Sequence, residues 1–286
     1  MKIYDMHVHV NGGVPSPSRL LSKMEEAGVY GGALFSAAPE ISAVSLARLP
    51  YRQRIKDLLA WCGDSGRLIP VLWVHPFETD VEEQIRDAAK SGVRALKVIC
   101  DSFDVGCPES MRVLETAGRE KLPVFFHSGI LWAGTDTSAH NRPVLWEATL
   151  NLENSVKFSL GHCSWPWVDE CIAVYGKFLN SYKERKSSEM FFDLTPGTPE
   201  IYRRDLLTKL FTVGYDVENN IMFGTDSMAN DYDVDWVSGW LARDREIMSD
   251  LGVPDATLEK IYRGNLERFL ACGDVDHRIP EVNKKS

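Results

Sequence analysis

Apolar residues in this chain fall in short runs: KIYDMHV, VYGGALFSA, RLIPVLWV, VRALKVIC, LPVFFH, SVKFSLGH, EMFFDLT and NIMFG. Each run has the length and the β-branched or aromatic content of a strand. Longer stretches with helical spacing of their apolar positions lie between most of them, clearest in SRLLSKMEEAG, YRQRIKDLLAWCG, VEEQIRDAAKSG, ESMRVLETAGRE, WVDECIAVYGKFL and PEIYRRDLLTKLF. Strand starts recur about every 30 residues, the length of one βαβ unit. The strand runs are nearly continuous in apolar residues, as parallel strands covered by helices should be. Eight such units predict an α/β fold, a (β/α)8 TIM barrel, and fit an antiparallel sandwich poorly.

The length of 286 residues is close to the roughly 250 of one such barrel. A single domain over 1–286 is therefore expected, with no linker, low-complexity tract or second domain. Two further helices, over about 233–251 and 256–270, should follow the eighth strand and lead into a polar tail over 271–286.

Composition narrows the function. Lys and Arg number 32 against 41 Asp and Glu, a formal charge of −9, so the surface repels phosphate backbones on average and no nucleic-acid partner is expected. The amino-terminal segment meets Lys2 and Asp5 before any apolar stretch forms, and no apolar run approaches the roughly 20 residues of a membrane span. The expected location is cytoplasmic, with no membrane partner. The six cysteines, Cys62, Cys100, Cys107, Cys163, Cys171 and Cys272, form no CxxC pair, and reduced thiols are the simplest expectation.

The chemistry lies at strand ends. A side-chain period of two places Asp5, His7 and His9 on one face of the first strand. The same alternation turns His127 inward at the end of LPVFFH, His162 at the end of SVKFSLGH, and Asp226 just beyond IMFG. Parallel barrel strands bring these carboxyl ends to one rim, where barrel enzymes build their active sites. Imidazoles with one carboxylate suit zinc or another divalent ion, and three or four protein ligands leave a coordination position open for water. Taken singly, each histidine also reads as an ordinary hydrogen-bonded core residue; their joint placement favours a metal site.

DMHVH, the strand-end His127 and His162, the GTD around Asp226 and the late YRGNLERFL resemble the amidohydrolase superfamily over essentially the whole chain. The order of these motifs is similar, more narrowly, to its amidohydrolase-related branch, which includes decarboxylases of aromatic acids. The resemblance implies that His7, His9 and His127 bind the metal, that Asp226 binds it or its water, and that His162 assists catalysis. Lys97, inward near the end of the fourth strand, falls where binuclear members carry a carboxylated lysine. One ion with Lys97 as a neutral or paired amine is the preferred expectation; a second ion involving Lys97 and His162 is the other. Asp5 is expected to fix a ligand imidazole from behind.

Several residues have two readings. His75 closes the third strand and suits a loop anchor as well as a substrate contact. Trp132, Trp165 and Trp167 could wall a substrate pocket or pack beneath loops, and Arg142 could clamp a carboxylate or lie at the surface. Cys163 lacks the neighbours of a catalytic thiol. The DYDVD run reads as a solvated helix start.

The leading functional expectation is a metal-dependent hydrolase of an amide, ester or lactone bond in a small molecule. In that mechanism Asp226 relays the proton of an activated water. The alternative is a lyase removing carbon dioxide from an aromatic or unsaturated acid, which an arginine or tryptophan beside the metal would favour. A binding barrel without turnover and a nuclease are remoter, the first opposed by Asp226 and His162, the second by the acidic balance. The sequence carries no signal of oligomeric state, so a homo-oligomer stays open.

Overall fold

The computed structural model describes residues 1–44, 47–181 and 188–271. The polar tail, with Cys272, lies outside the described residues. Strands β1 (Tyr4–His9), β2 (Gly31–Phe35), β3 (Leu68–Trp73), β4 (Ala95–Val98), β5 (Val124–Phe126), β6 (Lys157–Leu160) and β7 (Glu189–Asp193) pair in parallel with their sequence neighbours. The eighth stave is split into β8 (Ile221–Met222), which pairs with β7, and β9 (Ser227–Met228), which pairs with β1. Together they close the ring, and the (β/α)8 barrel expected from the spacing is present.

Helices α1 (Pro17–Glu26), α2 (Tyr51–Cys62), α3 (Val81–Lys90), α4 (Pro108–Arg119), α5 (Val168–Ser181), α6 (Glu200–Thr212) and α7 (Val234–Asp250) surround the sheet. After β5 the chain forms 3-10 turns, Ser138–Asn141 and Pro143–Asn151, where a crossover helix would otherwise lie. No helix among the described residues is long and apolar enough to cross a membrane.

Two apolar layers follow from strand alternation. Ala33, Phe35, Val71, Ala95, Phe125, Phe191 and Met222 fill the interior, and Leu34, Leu72, Leu96 and Phe192 face the helices. The carboxyl-terminal helix Asn265–Leu270 plugs the amino-terminal end, its Phe269 ring meeting Phe125 at 4.7 Å and Phe191 at 5.0 Å. With the floor sealed, the strands' carboxyl ends form the mouth.

β1 departs from the expected alternation. Its register with β2 shifts between Asp5 and Val8, and Met6 as well as His7 turns toward the interior. The extra residue of this bulge puts Asp5 on the helix side, where Tyr232 of the outer layer reaches it. Asp5 is thus off the face that carries His7 and His9, contrary to the strict period of two.

Behind the mouth, Arg203 of α6 pairs with Asp244 of α7 at 2.6 and 2.7 Å and donates to the carbonyl of Leu194 at 2.7 Å. Both charged side chains are buried. Removing the cation would strand a buried carboxylate and free the backbone after β7. Arg203→Met is therefore expected to lower the free energy of unfolding by about 3–5 kcal/mol in urea denaturation, whereas a change below about 1 kcal/mol would show that the pair adds little.

Candidate metal centre

His7 and His9 reach the mouth from β1, and Asp226 reaches it from the turn joining β8 to β9. His9 Nε2 lies 3.1 Å and His7 Nε2 3.5 Å from Asp226 Oδ1. One donor atom from each of these three residues falls within 4.8 Å of the others, the spacing of a metal-binding trio. Asp226 adopts a left-handed backbone, φ 62°, and its side chain is 39% exposed, so it is the member open to solvent. Burial would raise its carboxyl, but the His9 hydrogen bond and the His7 and His162 imidazoles hold it well below the usual range.

His7 is fixed from behind by Asp193, the last residue of β7, whose Oδ2 is 2.7 Å from His7 Nδ1. A carboxylate there sets the tautomer: Nδ1 carries the proton, and the Nε2 lone pair faces the mouth. Burial and the nearby Lys97 push the His7 imidazole down to about 4, so it is neutral at physiological pH. Gly224 makes this approach feasible, since a Cβ there would stand 2.4 Å from Thr195 Oγ1 and 2.9 Å from His7 Cβ.

His127 and His162 form the opposite wall, their rings 5.0 Å apart, with His162 5.6 Å from His7. His127 lies outside the tight trio. Burial, His162 and Lys97 hold it well below the ordinary imidazole range, and its buried Nε2 has no hydrogen-bond partner. His162 is aimed by an irregular turn in which His162, Cys163 and Ser164 all have positive φ. Its Nδ1 is 3.3 Å from the carbonyl of Thr195, which leaves Nε2 for the site. Nε2 of His7 and of His9 beside the Asp226 carboxylate, with the unpartnered Nε2 of His127 near them, make a nitrogen and oxygen donor set that fits a divalent ion.

Lys97 is fully buried. Its Nζ stands 3.5 Å from His7 Nε2 and 4.8 Å from the centre of the Phe35 ring. Burial brings its amine down to about 8, against the pull of Asp193 and Asp226.

Asp5 does not touch a ligand imidazole. Its carboxylate accepts from the backbone N–H of His7 (3.1 Å) and Thr225 (3.0 Å) and from the hydroxyls of Thr225 (2.5 Å) and Tyr232 (2.9 Å). The imidazole partner is Asp193, which the sequence reading passed over although EMFFD ends a strand with an inward acid.

The four residues with a possible substrate role have other surroundings in the structure. Both ring nitrogens of buried His75 are occupied, Nε2 by Asp101 at 3.1 Å and Nδ1 by the Phe77 N–H at 3.2 Å, so His75 anchors loops. Arg142 is an exposed partner of Glu170 that stacks on Trp167. Trp132 is 81% exposed, and Trp165 packs on the outer layer and Tyr202. Two other readings agree with the structure. The Cys163 thiol is buried, donates to the Asp193 carbonyl and is pushed well above its ordinary range; Asp233 caps α7 by accepting from the Trp236 N–H at 2.9 Å. The five described cysteines are free thiols.

A closed parallel barrel with histidines and an acid converging on its sealed-floor mouth defines the class of barrels built around a mouth-side polar centre. The family model described as Amidohydrolase matches residues 4–271, and the chain belongs to that family of enzymes. Among solved structures it is similar to a 2,6-dihydroxybenzoate decarboxylase from Rhizobium, with TM-score 0.64, 12% identity and coverage of 94% of this chain and 98% of that one. A probable 2-pyrone-4,6-dicarboxylic acid hydrolase from Acinetobacter baumannii gives TM-score 0.63 and 13% identity over 94% and 99%. A 5-carboxyvanillate decarboxylase from Novosphingobium aromaticivorans, solved with manganese, gives 0.59 and 12% over 88% and 79%. At these identities the likeness is one of fold. No curated protein matches the chain significantly.

If Asp193 orients His7 as a ligand, Asp193→Asn should weaken metal binding by about 10-fold or more in chelator competition while the melting temperature stays close to that of the unaltered protein. Unchanged affinity would remove Asp193 from the centre.

Proposed function

We propose that the protein is a metal-dependent hydrolase of a small molecule, using one divalent ion held by His7, His9, His127 and Asp226. The observation that carries this reading is the trio of His7, His9 and Asp226 at the mouth, beside the unpartnered His127 Nε2. When bound, the ion supplies Lewis acidity. His7 presents Nε2 because Asp193 holds its other nitrogen, and Asp226 supplies negative charge through Oδ1, which faces His7 and His9, and accepts a proton at its other oxygen. His162 offers Nε2 toward substrate to receive or donate a proton, while Thr195 holds the ring in place. One ion is proposed because the described residues bring together one group of His, Cys, Asp or Glu donors close enough to share an ion. Zinc suits this borderline nitrogen and oxygen set.

Decarboxylation is the second reading. Trp73 lies with its ring centre 6.4 Å from that of His9, and the buried Lys97 adds a cation near the same site; both suit an acid substrate.

Chelation is expected to abolish turnover, and His7→Ala should lower both metal content by elemental analysis and rate. Full occupancy in His7→Ala would refute the ligand assignment. Incubating the metal-loaded protein with lactones, esters, amides and hydroxylated benzoates separates the two chemistries: released carbon dioxide identifies the lyase, and a new carboxylate without it identifies the hydrolase. Asp226→Asn should suppress whichever is found; undiminished turnover would argue against its role.

A further inference from the structure

Asp226 projects from a turn in which its own backbone is left-handed, φ 62°. That angle is a rotation about the bond leaving the Asp226 nitrogen, so the direction of the carboxylate follows from how the flat Thr225–Asp226 peptide group is held. Each polar group of buried Thr225 is engaged. Its N–H donates to Asp5 Oδ1 at 3.0 Å, and its hydroxyl lies 2.5 Å from Asp5 Oδ2 and 2.8 Å from Ser227 Oγ. Its carbonyl, which belongs to the peptide group shared with Asp226, accepts from Nε1 of Trp236 at 2.9 Å.

Trp236 is itself firmly placed. It lies in the first turn of α7, where its backbone N–H is the one that Asp233 caps at 2.9 Å. Its ring meets that of Trp240, one turn on, at 5.6 Å and 73°. Trp240 is buried and packs against the guanidinium groups of Arg203 and Arg243, 5.2 and 4.6 Å from its ring centre. Trp236 nevertheless stays 43% exposed, so packing alone gives little reason for so large a ring, whereas its N–H meets a buried carbonyl. A left-handed residue other than glycine persists only where its surroundings hold it. Without the indole donor the Thr225 carbonyl is left bare in a buried place, and the peptide group can turn to find water, carrying the Asp226 carboxylate off the two imidazoles it faces.

We infer that Trp236 is a positioning residue of the metal centre: its indole N–H fixes the peptide group ahead of Asp226 and so aims the carboxylate toward His7 and His9. The inference rests on the proposed metal centre with Asp226 as a ligand, and it holds for hydrolysis and decarboxylation alike.

Trp236→Phe keeps a ring against Trp240 and removes the donor. Zinc affinity, measured by chelator competition, should fall about 3- to 10-fold, the contribution of one net hydrogen bond. The same substitution is then made in Asp226→Gly, which accepts the left-handed backbone and has no carboxylate to aim. There Trp236→Phe should change zinc affinity by less than about 2-fold, whereas a merely structural role costs the same in both backgrounds. Should a variant fail to fold, or Asp226→Gly bind no zinc, a crystal structure of the unaltered zinc-loaded protein decides, with Asp226 expected on the ion and Trp236 Nε1 within hydrogen-bond distance of the Thr225 carbonyl. Unchanged affinity in Trp236→Phe, an equal loss in the Asp226→Gly background, or an indole N–H released from the carbonyl in the zinc-loaded crystal would each overturn the inference while the metal centre stands. Unaltered protein that takes up no zinc overturns the proposed centre and the inference with it, which keeps the two failures apart.

Discussion

A barrel must join its first and last staves, and here that seam depends on one buried carboxylate. Asp5 gathers the His7 N–H, both donors of Thr225 and the Tyr232 hydroxyl. The first belongs to the stave that carries His7 and His9, and the Thr225 donors sit one residue before Asp226. Burial pushes the Asp5 carboxyl up to about 7 even against these four donors, so the group is held where solvation does not favour it. Its hydrogen bonds thus set the distance between the two halves of the candidate metal trio. The β1 bulge is what frees Asp5 for this task, because strict alternation would have turned it into the interior.

From this seam the remaining geometry extends around the ring. Asp193, on the stave next to the seam, holds Nδ1 of His7; its carboxylate accepts from the Thr195 N–H, and the backbone carbonyls of Asp193 and Leu194 accept from Cys163 and Arg203. His7 is therefore gripped at its backbone by Asp5 and at its ring by Asp193, two carboxylates on opposite faces of the sheet. A side chain fixed at both ends loses little further freedom on binding an ion. Trp73 packs with Ala38, Ile99 and Leu131 on the β2–β5 side of the barrel, and Asp193, His162 and Asp226 stand on the β6–β8 side, so the region around the strand ends is chemically two-sided.

Sequence periodicity made the eight staves, the outer helices and the rim positions of His7, His9, His127, His162 and Asp226 legible, because parallel strands must be apolar and barrel rims must collect strand ends. It misplaced Asp5, since a bulge leaves no mark in residue type and reverses the face of everything before it. Asp193 was readable by the rule that found His127, yet a carboxylate ending a strand is as often a solvated terminus. Arg142, Trp132, Trp165 and His75 illustrate the converse limit. Proximity in sequence to a rim loop says nothing of direction, and Glu170, solvent, Tyr202 and Asp101 claim these side chains. The bond from the Trp236 indole to the Thr225 carbonyl could not be read from sequence, because residue type does not say which carbonyl an indole meets.

Backbone strain follows the same map. Among the described residues, the non-glycine positions with positive φ are Asp80, Lys121, His162, Cys163, Ser164 and Asp226. Four of these six close β6 or the eighth stave at the mouth. Such conformations cost on the order of 1–3 kcal/mol each and persist only where surrounding contacts outweigh them. Glycine would relieve the strain at either place, as it does at Gly129 nearby with φ 99°. A glycine at position 162 or 226 would, however, remove the imidazole or the carboxylate that the turn presents. Strain sits where the side chain is needed and the Asp5, Asp193 and Arg203 contacts can hold it, which ties the stability of the barrel to the chemistry at its mouth.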